Sequence, residues 1–187
     1  MNSASSVFDD EARERRIVEL RNTQSHQIAT LMSTLKTNGV SLEDYQKAMF
    51  SDMIDCIHVG LSRQAIVTAW MLGYDIIRRW VFSDQHRLDS FNAWLTPNTK
   101  KVTVVTDYED FFALNEAFVL TACWKASDAL DVFTSKIHRS LEHLLDERNA
   151  FAHSNFRKSS DTKAEAFIER LFDVICEKPF IAPQATA

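Results

Sequence analysis

Apolar residues recur at three- and four-residue steps along most of this chain, the spacing that lines one face of an α-helix. From Asp9 to Lys36 the series Ile17, Leu20, Ile28, Leu31 and Leu35 predicts a first helix. Asn38-Gly39 should stop it, because glycine accepts the left-handed conformation that ends helices. Ser41-Leu42-Glu43-Asp44 then reads as an N-cap with acids in the first turn, where the helix dipole favours them. A second run, Leu42 to about Trp80, carries Met49, Met53, Ile57, Leu61, Ala65, Ala69, Leu72, Ile76 and Trp80. It is long enough to be two helices in line. Gly60 and Gly73 are each candidates for a bend or for a close helix approach, and the pattern does not choose between them.

Regularity fades over 83–108. Phe91 to Leu95 predicts a short helix and Thr96-Pro97-Asn98 a turn. Lys101 to Thr106 is the one β-like run, expected to be an extended loop, or else an edge that pairs with another copy. Helical spacing resumes from about Asp110 to Trp124, with Phe111, Phe112, Phe118 and Trp124 expected in the core. It continues from Ser127 or Asp128 to about Asn149, and again after a cap at Ser160 or Asp161, where Phe167, Leu171, Val174 and Ile175 form the inner face. Residues 1–8 should fray and the tail from Pro179 should be unstructured. The expected class is all-α, an antiparallel helical bundle, organised as an N-terminal helix (1–40), a helical domain (41–178) and a disordered tail (179–187).

Composition agrees with long helices: among 187 residues there are only 3 Gly and 3 Pro, while 45% of residues are hydrophobic, including 13 Phe and 4 Trp. A formal charge of −5 argues against a protein basic enough to coat nucleic acid along its whole surface. Cys56, Cys123 and Cys176 form neither a CxxC pair nor a zinc pattern and read as free thiols in a reducing compartment. No signal peptide is visible, and the most apolar stretch, Ala65 to Phe82, is interrupted by Asp75, Arg78 and Arg79. The expectation is a cytoplasmic protein without a membrane span.

The helix from Asp128 carries the candidate chemistry. Leu130, Phe133, Ile137, Leu141 and Leu144 step along one face, and the next member of that stripe is Arg148. A guanidinium where leucine is expected must find partners, since burying an unpaired charge is very costly. A second row, Glu142, Asp146, Asn149 and His153, places the last two on one face if the helix continues that far. Arg148 and His153 are five positions apart, about 140° around a regular helix. They converge only if the helix ends between them, or if a second copy supplies half of the site. A purely structural arrangement is also open: Arg148 paired with Glu147 or with a carboxylate of another helix, and His153 capping nearby carbonyls.

Arg148-Asn149-x-x-x-His153 at the end of a long amphipathic helix resembles the signature of the HEPN superfamily, whose motif is an Arg, often followed by a polar residue, and a His five to seven positions later. The resemblance in helix order spans roughly 42–177 and the motif itself six positions; the helix before Asn38 and the 83–108 segment depart from it. It implies a HEPN-like helical domain acting as a metal-independent endoribonuclease, often a toxin or phage-defence effector, usually a homodimer, with RNA as substrate and an antitoxin or defence-system protein as a possible partner. Other members bind RNA without cleaving it or act as scaffolds. Histidine moves its proton near neutral pH and arginine meets charge on phosphate oxygens. The resemblance therefore makes His153 the acid–base residue, Arg148 the phosphate clamp and Asn149 the group that orients either. Between 136 and 158 five basic residues (Lys136, Arg139, Arg148, Arg157, Lys158) face three acids (Glu142, Asp146, Glu147), a local surplus that attracts phosphate.

No cofactor or metal is expected. His138 and Glu142, four apart, lack a third ligand and read as a solvated helix surface. His58, beside Asp52 and Asp55, reads as an ordinary core or surface histidine, and Arg13, Arg15 and Arg16 among acids as a solvated face. Gly-rich phosphate loops, GxSxG elbows and HExxH are missing, which removes nucleotide hydrolysis, serine-hydrolase and zinc-protease chemistry.

Overall fold

The computed structural model describes residues 42–98, 104–126, 133–153 and 161–176, within the second of the two units into which the chain divides, Met1–Ser41 and Leu42–Ala187. The helix expected at Asp9–Lys36 with its Asn38-Gly39 stop, the Ser41 cap and the tail from Pro179 lie outside the described residues. Every regular element among the described residues is helical: α1 (Asp44–His58), α2 (Ser62–Phe82), α3 (Gln85–Asn98), a 3₁₀ segment (Tyr108–Ala113), α4 (Glu116–Lys125), α5 (Ser135–His153) and α6 (Asp161–Cys176). No described helix is long and apolar enough to cross a membrane.

The long run over Leu42–Trp80 is two helices, but they are not in line. Gly60 takes φ +74°, the left-handed turn that a side chain would strain. The chain then folds back, so that Tyr45 and Gln46 at the start of α1 meet Asp75 late in α2. Gly73 has the other role. A Cβ there would lie 2.6 Å from Ile175 Cδ1, so the missing side chain is what lets α6 press against α2. α2 is the central element, packed against α1, α3, α5 and α6. It buries Ala65, Ile66, Ala69, Trp70, Leu72, Ile77 and Val81, while α6 contributes Phe167, Leu171 and Ile175. Each large aliphatic or aromatic side chain so buried contributes on the order of 1.5–3 kcal/mol.

Asp75, Arg78 and Arg79 do more than interrupt an apolar stretch. The Asp75 carboxylate is buried and accepts hydrogen bonds from the hydroxyls of Tyr45 and Tyr108, from Gln46 Nε2 at 2.7 Å and from Arg78 Nη2 at 3.1 Å. Arg79 Nε lies 3.5 Å from the same carboxylate. The Arg78 guanidinium sits over the rings of Tyr74, Tyr108 and Phe112 at 4.7, 5.3 and 4.6 Å. A buried charge is tolerated when paired and hydrogen-bonded in this way.

Four more expectations need correction. The short helix at Phe91–Leu95 is the middle of a 14-residue helix, Gln85–Asn98, with Pro97 in its last turn rather than in a separate turn. Asp84 starts it, its carboxylate accepting from the Arg87 N–H at 2.9 Å. The helix expected from Asp110 to Trp124 is broken: a 3₁₀ segment ends at Ala113, and Asn115 caps a new start, its side chain accepting from the N–H groups of Ala117 and Phe118 at 3.0 and 3.4 Å. Phe111 is buried as expected, yet Phe112 is 66% exposed. His138 is not on a solvated surface. It is 4% exposed and stacks on Trp124 at 4.6 Å, and burial holds its pKa below the usual histidine value of 6.5.

Of the β-like run, Lys101–Thr103 lie outside the described residues, and Val104–Thr106 form no strand. The Asn92 side chain takes the place of a neighbouring strand: it accepts from the Val105 N–H at 2.8 Å and donates to the Val105 carbonyl at 2.9 Å. All three cysteines are free, Cys123 fully buried and the other two partly so.

Candidate active site

α5 is amphipathic. Thr134 opens it, its hydroxyl accepting from the Ile137 N–H at 3.3 Å, and Leu141, Leu144, Leu145 and Phe151 are buried against its neighbours. Arg148 stands in the row of Leu141, Leu144 and Phe151, as the stripe requires. It points into protein rather than solvent, and its side chain is 15% exposed.

The guanidinium finds a carboxylate there. Arg148 Nη2 donates to Glu116 Oε2, and Trp70 Nε1 donates to Glu116 Oε1 at 3.0 Å. The carboxylate thus has each oxygen engaged by a different helix. Arg148 also lies over the Trp70 ring, 5.6 Å from its centroid, and Trp70 stacks on Tyr74 at 6.2 Å and 9° between planes. Local sequence explains where Glu116 stands. Asn115 caps α4, which makes Glu116 its first helical residue, a place that favours an acid. Of the two structural partners that spacing allows for Arg148, Glu147 pairs instead with Arg170 at 2.8 Å, and the carboxylate of another helix is the one used.

Two polar atoms beside this contact are buried and have no hydrogen-bond partner among the described residues: Arg148 Nε and the Tyr74 hydroxyl. Burial pushes the Tyr74 phenol well above the ordinary tyrosine value, with Arg78 and Arg148 pulling the other way. Its proton therefore stays on through the physiological range.

Asn149 is half-buried and His153 exposed, in the last two turns of α5. Because α5 runs unbroken from Ser135 to His153, the route in which the helix ends between Arg148 and His153 is closed. The two side chains stand about 140° apart around the axis and do not meet within one chain. Asn149 and His153 share a face, four residues apart. Among the described residues no group of three or more His, Cys, Asp or Glu side chains is placed to hold a metal ion. The sequence reading missed Glu116 and Trp70, which lie 32 and 78 positions from Arg148. The available signals were the Asn115-Glu116 pair, a cap followed by a first-turn acid, and the need for some carboxylate opposite a guanidinium in an apolar row.

The arrangement offers one guanidinium fixed in direction by a carboxylate and an aromatic face, and one solvent-facing imidazole about 7.5 Å further along the helix by axial rise. Glu116 takes one of the five N–H donors of the guanidinium and offsets its charge. No known family model, curated protein or solved structure matches the chain.

Proposed function

We propose that this chain is a metal-independent endoribonuclease of the HEPN type, an antiparallel helical bundle acting as a homodimer, with a role as a toxin or phage-defence effector in the cytoplasm. The observation that carries this reading is the unbroken end of α5, which sets an exposed His153 beyond an anchored Arg148 on the opposite side of the axis. A second copy is then what joins a guanidinium to an imidazole. In the reaction one His153 removes the proton from the RNA 2′-hydroxyl, and the 2′-oxygen attacks phosphorus. The bond to the 5′-oxygen breaks, and the second copy's His153 returns a proton to that oxygen, leaving a 2′,3′-cyclic phosphate and a 5′-hydroxyl. Arg148 meets the charge on the non-bridging oxygens and Asn149 orients the phosphate or the imidazole.

A second reading has its own observation. The Glu116 carboxylate already neutralises Arg148, as expected of a catalytically silent HEPN-like module that binds RNA or a protein, or of a residue that only ties helices together. Single-stranded RNA incubated with the protein in EDTA separates the two. The enzyme yields 2′,3′-cyclic phosphate ends, and His153→Ala abolishes them with helicity unchanged. Cleavage that survives His153→Ala refutes the assignment of His153; intact RNA with the unaltered protein leaves the silent reading. Sedimentation should give a mass near twice 21.5 kDa. A monomer at micromolar concentration would leave the paired site without its second half.

A further inference from the structure

Between them, α5 and α6 leave an open groove of about 520 Å³ with a basic rim. Lys136, Arg139 and His143 line it from α5 and Arg170 from α6, over an apolar floor that includes Leu144 and Val174. The three cations face one lining carboxylate, Asp173, in a chain whose total charge is −5. Both guanidiniums are steadied by their own helices: Arg139 Nε donates to the Ser135 carbonyl at 3.3 Å and Arg170 Nε to that of Ala166 at 3.0 Å. Glu147 holds Arg170 further through Nη2 at 2.8–2.9 Å. Arg139 and Lys136 have no carboxylate partner among the described residues, and both are exposed.

We propose that this groove is the track for the phosphate backbone of single-stranded RNA, a proposal that rests on the RNA reading above. Lys136 to His143 spans about 10 Å of helix axis. That length faces a short run of consecutive phosphates of a single strand, each of which a rim cation can neutralise. Cations at the rim take the phosphates, and the apolar floor accepts the sugar edge. The same helix carries His153 about 15 Å beyond His143, so a strand laid along α5 leads toward the imidazole proposed to act on it. An acidic protein segment is the competing occupant; Lys136 and Arg139 on α5 facing Arg170 on α6 across the groove favour the evenly charged strand.

The test measures binding of a fluorescent single-stranded RNA across a salt series, with the full chain carrying His153→Ala so that the probe stays intact. Lys136→Gln with Arg139→Gln should weaken binding roughly 25-fold at 0.1 M salt and lower the slope of log affinity against log salt by about 1.4. Lys47→Gln, on α1 and already paired with Asp44, should change neither. Unaltered affinity and slope in the double variant, with helicity and unfolding midpoint preserved, overturn the groove while leaving any cleavage by the unaltered protein in place. Intact RNA with the unaltered protein but a groove-dependent slope removes the nuclease reading and keeps the groove. No RNA binding by the parent, or displacement of the RNA by a glutamate-rich peptide at equal charge, overturns it.

Discussion

Replacing Glu116 by alanine removes the only carboxylate that the described residues offer to the Arg148 guanidinium, and its cost can be bracketed from exposure. Breaking a fully buried pair by removing one partner costs about 3–5 kcal/mol, whereas an exposed pair contributes at most about 1 kcal/mol. The Arg148 side chain is 15% exposed and that of Glu116 32%, so water reaches one side of the contact. Glu116→Ala should therefore cost about 2 kcal/mol, including the acceptor lost by Trp70 Nε1. Urea unfolding at pH 7, followed by helical circular dichroism with the m-value checked for constancy, measures it. Arg148→Met combined with Glu116→Leu leaves no stranded charge and should recover at least half of the loss. Additive losses in that double variant, or a loss under about 0.5 kcal/mol for Glu116→Ala, would refute the pair as a helix tie. Glu116→Gln probes function through the same contact. It keeps an acceptor for Trp70 but frees one positive charge for phosphate, so RNA affinity should rise about fivefold at 0.1 M salt if Arg148 is the clamp. Unchanged affinity would mean that Arg148 does not reach the RNA.

Three further outcomes follow from packing and titration. Gly73→Ala drives a Cβ to within 2.6 Å of Ile175 Cδ1; overpacking of about 2 kcal/mol less about 1 kcal/mol of helix propensity leaves a net loss near 1 kcal/mol. Adding Ile175→Val removes that methyl, so thermal unfolding of the double variant should show less than the sum of the single losses. All three tyrosines resist ionisation: burial and donation to Asp75 push Tyr45 up to about 12 and Tyr108 higher still, and burial raises Tyr74. Their contribution to stability is complete below the unfolded value of 10.0 and is lost as pH rises above it, through about 12 for Tyr45. Absorbance at the tyrosinate band should accordingly show no transition near the free value until the fold opens. For His138 the sign is opposite. Its pKa is lowered by burial, against the pull of Glu142, so the stability it confers holds above 6.5 and is lost on acidification through the folded value. A ring-proton titration by nuclear magnetic resonance that places His138 at or above 6.5 would contradict that stacking.

Helical periodicity was enough to find the elements that bury a continuous stripe. Leu141, Leu144 and Phe151 are buried where spacing puts them, and Arg148 stands out in that row from sequence alone. What periodicity cannot supply is the partner, because Glu116 belongs to another helix and its approach depends on how three helices pack. The split at Asn115 was hidden for a different reason: the aromatic residues on either side of it keep helical spacing across the break, and the side-chain cap that stops and restarts the chain is one residue wide. α3 was underestimated because its buried positions, Leu88, Phe91 and Leu95, are separated by polar residues that dilute the pattern. The β-like residues around Val105 have the composition of a strand, but one asparagine side chain satisfies the backbone that a strand would have paired. Arg78 and Arg79, which counter the Asp75 charge, stand within four residues of it. Asp75 was nonetheless legible only as a flaw in an apolar helix, because the tyrosine hydroxyls that complete its shell come from about thirty residues away on both sides.

That carboxylate also ties the opening of one stretch of chain to that of two others. The first turn of α1, the late turns of α2 and the 3₁₀ segment all donate to Asp75, so neither α1 nor the 3₁₀ segment can detach without breaking a hydrogen bond to that buried carboxylate. Their amide protons should then exchange with deuterium as one block, at a single free energy, although the 3₁₀ segment taken alone is too short to protect itself. A protease cut near Asp107 would sever the covalent link to α3 and still leave Tyr108 docked.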